Sequence, residues 1–139
     1  MHPTVFAVMT AVLQAQSPGP IVPVSWLAEH LNEPGLRIID ARPASEYQQS
    51  HIPGAVNRFF KRNLDETGRF KPAAELKGEF TDLLGDRPAA SIVHQCGSGV
   101  TACHNLLAME IAGLAGSLLY PGSWSEWVAD RSRPVATGN

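Results

Sequence analysis

A chain of 139 residues with a formal net charge of −2 has the length of one domain and can bury a single core without disulfide staples. Its apolar and charged shares, 44% and 17%, are those of an ordinary soluble globular protein, and the near-neutral balance argues against a nucleic-acid binder. Two cysteines, Cys96 and Cys103, are too few for a disulfide scaffold and suggest a reducing, cytoplasmic setting.

The run at 5–13 is apolar but shorter than the ~20 residues that span a bilayer. No Lys or Arg precedes it and no small-residue cleavage pattern follows. A helix that packs on the domain or covers a partner face is therefore expected, ahead of a secretory signal or a linker remnant. Ser17, Pro18, Gly19 and Pro20 break the chain. Residues 1–20 thus read as an apolar segment and linker, and 21–139 as the compact domain.

Ser25 is expected to cap a short helix to residue 31, which Pro34 and Gly35 end. A buried strand follows over 36–39, then a short helix at 44–49 and a turn at His51, Pro53 and Gly54. The basic stretch 58–71 also holds Asp65 and Glu66, so it reads as a solvated face with some capacity to draw in anions. Pro72 suits the first position of a helix to Leu84, with Gly85 past its end and Leu76, Phe80, Leu83 and Leu84 as its apolar stripe. A strand over 91–95 runs directly into Cys96. The helix at 100–112 is apolar nearly all round and should be largely buried. A further strand at 117–120 precedes Ser123 and Glu126, which have the spacing of a capping box. Strands alternating with helices imply an α/β domain with a mainly parallel sheet.

Ligands of such sheets bind beyond the carboxyl ends of the strands, where Cys96 lies. Gly97, Ser98 and Gly99 allow a tight loop whose N–H groups converge, and a helix N-terminus follows at once through Val100 and Thr101. This arrangement lowers a thiol pKa and can hold a persulfide anion or an anionic substrate. Cys103, inside the helix with no such loop, reads as inert packing. A phosphatase of the cysteine type needs an arginine six residues after its nucleophile, and that position is Ala102. Cys96, Cys103 and His104 lack zinc-ligand spacing, so no metal and no other cofactor is expected.

Several ordered motifs carry a resemblance to the rhodanese superfamily: Asp40-Ala41-Arg42 with Glu46-Tyr47, His51-Ile52-Pro53-Gly54-Ala55-Val56-Asn57, Cys96-Gly97-Ser98-Gly99-Val100-Thr101-Ala102, and Tyr120-Pro121-Gly122-Ser123-Trp124-Ser125-Glu126-Trp127. The chain looks most like the C-terminal, catalytic half of the two-domain thiosulfate and 3-mercaptopyruvate sulfurtransferases. The resemblance implies a rhodanese-like α/β fold with a five-stranded, mainly parallel sheet flanked by helices. It implies transfer of sulfur from a small anionic donor to Cys96, then to cyanide or a thiol, with residues 97–101 binding substrate.

The uncharged loop resembles the mercaptopyruvate type, because thiosulfate-preferring members usually carry charged side chains there. Two departures stand beside this. The serine matching Ser98 has been assigned to a relay with His and Asp from an N-terminal domain that this sequence does not contain. A donor-binding arginine expected four residues after Arg42 is Glu46, and the insert bearing another is missing. Arg58, Arg62 and Arg69 are the candidate substitutes. Asp40 with Arg42, and His51, read as structural hydrogen-bonding groups, whereas His104 is a weaker candidate for a general base. The alternative is a sulfur carrier or interaction module with little activity on small donors, working as a homodimer or with a partner domain.

Overall fold

The computed structural model describes residues 19–139, so the expectation for the run at 5–13 lies outside the described residues. Four strands, β1 (Arg37–Asp40), β2 (Val56–Asn57), β3 (Ile92–Gln95) and β4 (Leu118–Leu119), form one parallel sheet in the order β2-β1-β3-β4. Five strands were expected. The fifth is reduced to a single parallel bridge from Ile21 to Leu119, made by the Val22 N–H to Leu119 O (2.8 Å) and the Leu119 N–H to Pro20 O (2.7 Å). The next rung on one side would need an N–H from Pro20 and on the other an N–H from Pro121, and neither proline has one, so this ladder cannot lengthen in either direction.

Side chains alternate along a strand, and this parity divides the core into two layers. Ile38, Val93 and Leu118 pack with Leu27, Tyr47 and Trp127, which places α1 (Val24–His30), α2 (Ala44–Gln49) and α5 (Ser123–Trp127) on one face. Ile39 and Ile92 pack with Leu76, Phe80, Leu84, Ala108 and Met109, which places α3 (Ala73–Leu84) and α4 (Ala102–Ile111) on the other. Cys96 continues the second parity, two residues beyond His94, and packs with Ala41 and Ala102.

The helix ends depart from their expected caps. Pro23, not Ser25, occupies the N-cap of α1, and Pro72 sits at the N-cap of α3 rather than inside it. Gly85 does end α3, at φ 67° with its N–H on Thr81 O (2.8 Å). Leu76, Phe80 and Leu84 are buried at i, i+4 and i+8, and each contributes about 1.5–3 kcal/mol by leaving water.

The largest correction concerns α4. Ala102, Asn105, Ala108 and Met109 are buried, but Val100, Leu107, Ile111 and Cys103 are exposed. Small alanines seat the helix closely on the sheet, and no element among the described residues covers its outer face. Cys103 is therefore not the buried packing residue that its apolar neighbourhood suggested.

Candidate active site

Cys96 is the first residue beyond the carboxyl end of β3 and is 1% exposed. Its Sγ accepts the Gly99 N–H at 3.0 Å. Burial alone pushes the thiol pKa up, and this is the largest single influence. The Thr101 hydroxyl and the N–H groups of Ala102, Ser98 and Gly99 together outweigh it and hold the pKa below the ordinary thiol value. Thr101 occupies the N-cap of α4 yet makes no capping bond, which frees its hydroxyl for the sulfur.

The inward orientation of one of these donors, the Ser98 N–H, has a cause in α5. Cys96 O accepts the Trp124 N–H (2.9 Å), and Gly97 O accepts both the Ser125 N–H (3.0 Å) and the Ser125 hydroxyl (2.8 Å). Within a trans peptide the C=O and N–H point in opposite directions. The Gly97 carbonyl, drawn out toward α5, therefore turns the Ser98 N–H of the same peptide toward Sγ.

Ser123 fixes the base of the loop. Its hydroxyl accepts the Cys96 N–H (3.1 Å) and donates to Tyr120 O (3.1 Å). The residue is fully buried at φ 57°, and Gly122 takes the N-cap position. The expected capping box with Glu126 does not form, because the Ser123 hydroxyl is engaged by Cys96. Sequence reading missed this role; the only available signal was a serine following Pro121-Gly122, whose helix-start spacing favours the capping explanation.

The two loop glycines are not equivalent. Gly99 lies at φ 94°, and a Cβ there would collide with the Pro121 carbonyl. Gly97 has an ordinary φ and open space where its Cβ would stand. Only Gly99 is sterically required. Ser98 and Val100 are exposed and form the outer rim, while Gly97 and Thr101 are half-buried.

No free cation replaces the missing donor arginines among the described loop neighbours. Arg42 is buried, with its Nη2 on Asp40 Oδ2 (2.8 Å) and Ser50 O (2.7 Å), and it stacks over Trp124 at 4.8 Å. Arg58 is buried, with Nε on Asn63 Oδ1 (2.8 Å) and Nη2 on Glu79 Oε1 (2.9 Å). Arg62 and Arg69 are exposed. A cavity of about 250 Å³ holds Arg58 and Arg62 with Glu79 and Asp82 on its wall, and none of residues 96–101 lines it.

His51 is structural: Nδ1 bonds Tyr47 O at 2.7 Å and the two rings stack at 3.8 Å. His104 Nδ1 accepts from Asn63 Nδ2 (3.0 Å), which also donates to Asn105 Oδ1 (2.7 Å). Its burial depresses its pKa, and its ring lies between Phe60 and Phe70. These contacts tie it to the 3-10 turn Phe60–Asn63 rather than to the sulfur. Among the described residues no cluster of metal-ligating side chains occurs, and no helix is long and apolar enough to cross a membrane.

The family model for the rhodanese-like domain matches residues 23–130. The chain belongs to that family. A rhodanese-like domain is thus what positions Cys96 at the carboxyl end of the sheet. The chain is 44% identical over 128 residues to a protein from Pseudomonas aeruginosa named probable 3-mercaptopyruvate sulfurtransferase, covering 86% of this chain and 45% of that one. It is 35% identical over 108 residues to the thiosulfate sulfurtransferase of Gallus gallus, covering 71% of this chain and 37% of the relative. The rhodanese-like domain therefore spans less than half the length of these relatives. A solved structure of wild-type EanB superposes with a TM-score of 0.76 at 19% identity, covering 88% of this chain and 32% of that one. That likeness is one of fold.

Proposed function

We propose that Cys96 takes up a sulfane sulfur as a persulfide and passes it to a thiophilic acceptor, within a rhodanese-like domain formed by residues 21–139. The observation that carries this reading is a buried sulfur that accepts the Gly99 N–H at 3.0 Å and whose pKa is lowered by uncharged donors, the Thr101 hydroxyl first among them. The Cys96 thiolate attacks the sulfur of 3-mercaptopyruvate. The C–S bond breaks, and its electron pair becomes the enolate of pyruvate, which takes a proton. With thiosulfate the same attack releases sulfite. Cyanide or a thiolate then attacks the terminal sulfur, leaves as thiocyanate or a new persulfide, and restores the Cys96 thiolate.

Gly97, Ser98, Gly99, Val100 and Thr101 hold the donor anion through backbone N–H groups and the threonine hydroxyl. With no charged side chain in the loop, a monoanionic donor is favoured over the thiosulfate dianion. Two free thiols suit a cytoplasmic location.

Incubation with each donor followed by intact mass should add one sulfur atom to the native chain and to Cys103→Ser, and none to Cys96→Ser. An unchanged mass with every donor refutes the proposal. The pairing of Arg42 with Asp40 and of Arg58 with Glu79 supports a second reading, a carrier loaded by a partner's persulfide. Efficient turnover of mercaptopyruvate by the purified chain would exclude it.

A further inference from the structure

A polar cavity of about 250 Å³ lies between α3 and the 3-10 turn Phe60–Asn63, walled by Asn57, Arg58, Arg62, Glu79, Asp82 and Leu83. Glu79, Asp82 and Leu83 stand at i, i+3 and i+4 of α3 and so share one side of that helix. None of residues 96–101 lines this space, and the sulfur transfer proposed above makes no use of it.

The cationic wall of the cavity is held rigidly. Arg58 is 2% exposed, its guanidinium lies over the Phe80 ring at 4.4 Å, and it donates through Nε to Asn63 Oδ1 (2.8 Å) and through Nη2 to Glu79 Oε1 (2.9 Å). Nη1 has no hydrogen-bond partner among the described residues. Lys71 Nζ also binds Glu79 (2.9 Å), so two cations share one carboxylate and the trio keeps an excess positive charge. Burial above all pulls the Arg58 pKa below its ordinary value, the hydrogen bond and charge of Glu79 oppose this, and the nearby Arg62 charge adds to it. Two guanidiniums close enough to repel each other favour an anion between them. Asn57 donates through Nδ2 to Asp40 O (3.0 Å) and Arg42 O (2.9 Å), which leaves its Oδ1 as an acceptor. Arg62 and Asp82 are both exposed, and among the described residues neither takes part in an ion pair.

We propose that this cavity binds a small zwitterion of the α-amino-acid class, with its carboxylate on Arg58 Nη1 and the Arg62 guanidinium and its ammonium beside Asp82 and Asn57 Oδ1. The volume is that of about eight waters at roughly 30 Å³ each, room enough for alanine. A dianion such as phosphate or sulfate would meet the two guanidiniums but also face the Asp82 carboxylate. A simple carboxylate leaves Asp82 unpaired. A zwitterion satisfies both walls at once, as a concave site with a few convergent polar groups requires. Because Arg58 is fixed by Phe80, Asn63 and Glu79 before any ligand arrives, little ordering of its side chain opposes binding.

Titration of the isotope-labelled full chain with L-alanine should shift the amide resonances of Asn57, Arg58, Arg62, Asp82 and Leu83 saturably, and with the same affinity in Cys96→Ser, because the sulfur plays no part. Propionate, the same carboxylate without the ammonium, should bind on the order of 10-fold more weakly. Asp82→Asn should remove that preference, and Arg62→Gln should weaken both ligands on the order of 10-fold. Both positions are exposed, so neither change disturbs the core. The absence of saturable shifts at these residues at tens of millimolar alanine overturns the proposal. Equal affinity for alanine and propionate, or a preference for alanine that survives Asp82→Asn, overturns it as well. Shifts centred on residues 96–101 that vanish in Cys96→Ser also overturn it, and place the ligand at the sulfur instead.

Discussion

Replacing Thr101 by valine keeps the shape of the side chain and removes one donor to the Cys96 sulfur. Thr101 makes no cap bond to α4, so the change leaves the helix start intact and acts on the thiolate. A hydrogen bond to a charged acceptor is worth about 1.5–3 kcal/mol, which corresponds to roughly a 10- to 100-fold smaller thiolate fraction at pH values below its titration. A more basic thiolate is also intrinsically more nucleophilic, with a Brønsted coefficient of about 0.4–0.5. The two effects oppose each other. In a Cys103→Ser background, iodoacetamide alkylation of Thr101→Val should therefore be roughly 3- to 10-fold slower than the parent at low pH and roughly 3- to 10-fold faster at high pH. The profiles cross between those limits. Thr101→Ser should follow the parent curve. Profiles for Thr101→Val and parent that superimpose at every pH would show that the hydroxyl does not hold the sulfur as an anion.

The loop glycines make a second test: Gly97→Ala should form the persulfide and melt like the native chain, whereas Gly99→Ala should lose more than about 1 kcal/mol of stability and most persulfide formation, and equal behaviour in a thermal melt would contradict the collision with Pro121. His94 makes a third, because it is fully buried with Nε2 on Ser117 Oγ (3.0 Å), and burial lowers its pKa to about 3. The unfolded chain binds a proton at His94 near pH 6.5 that the folded chain refuses until about pH 3, so unfolding free energy should fall as pH drops through that window, by up to about 1.4 kcal/mol per pH unit for this one proton. Urea titrations should show a shallower fall between pH 6.5 and 4.5 in His94→Gln, with a residual slope from His104; identical slopes would remove His94 as the cause.

The centre of the site was legible because its signals are local. A strand over 91–95, a cysteine, a glycine-bearing loop and a helix are contiguous in the chain, and contiguity is what a sequence displays. Asp40 and Arg42, two residues apart, were legible as a network for the same reason. The contacts that orient the loop are remote. Ser123 reaches Cys96 across 27 positions, and its positive φ is a tertiary outcome that no propensity of serine announces. Asn63 and Asn105, 42 positions apart, bind the 3-10 turn to α4 and carried no motif at all. The burial of α4 was misread because hydropathy reports what a side chain would gain by leaving water, not whether another element arrives to cover it.

The same geometry bears on where chemistry takes place. Cys96 Sγ is almost wholly enclosed, so an acceptor approaching from solvent meets the rim formed by Ser98 and Val100 before it meets Sγ. In the proposed persulfide the outer sulfur stands one S–S bond, about 2.05 Å, beyond Sγ, and this is the atom an acceptor must reach. The N–H groups of Ser98, Gly99 and Ala102 surround Sγ in the same loop. They can stabilise the anion on Sγ before sulfur uptake and on the outer sulfur after it. A fixed cation would favour one of those positions over the other and would hold a dianionic donor or sulfite product more tightly. Distributing the stabilisation over several neutral donors lets negative charge move outward by one atom at little cost, and that is the demand a sulfur-transfer cycle places on the site.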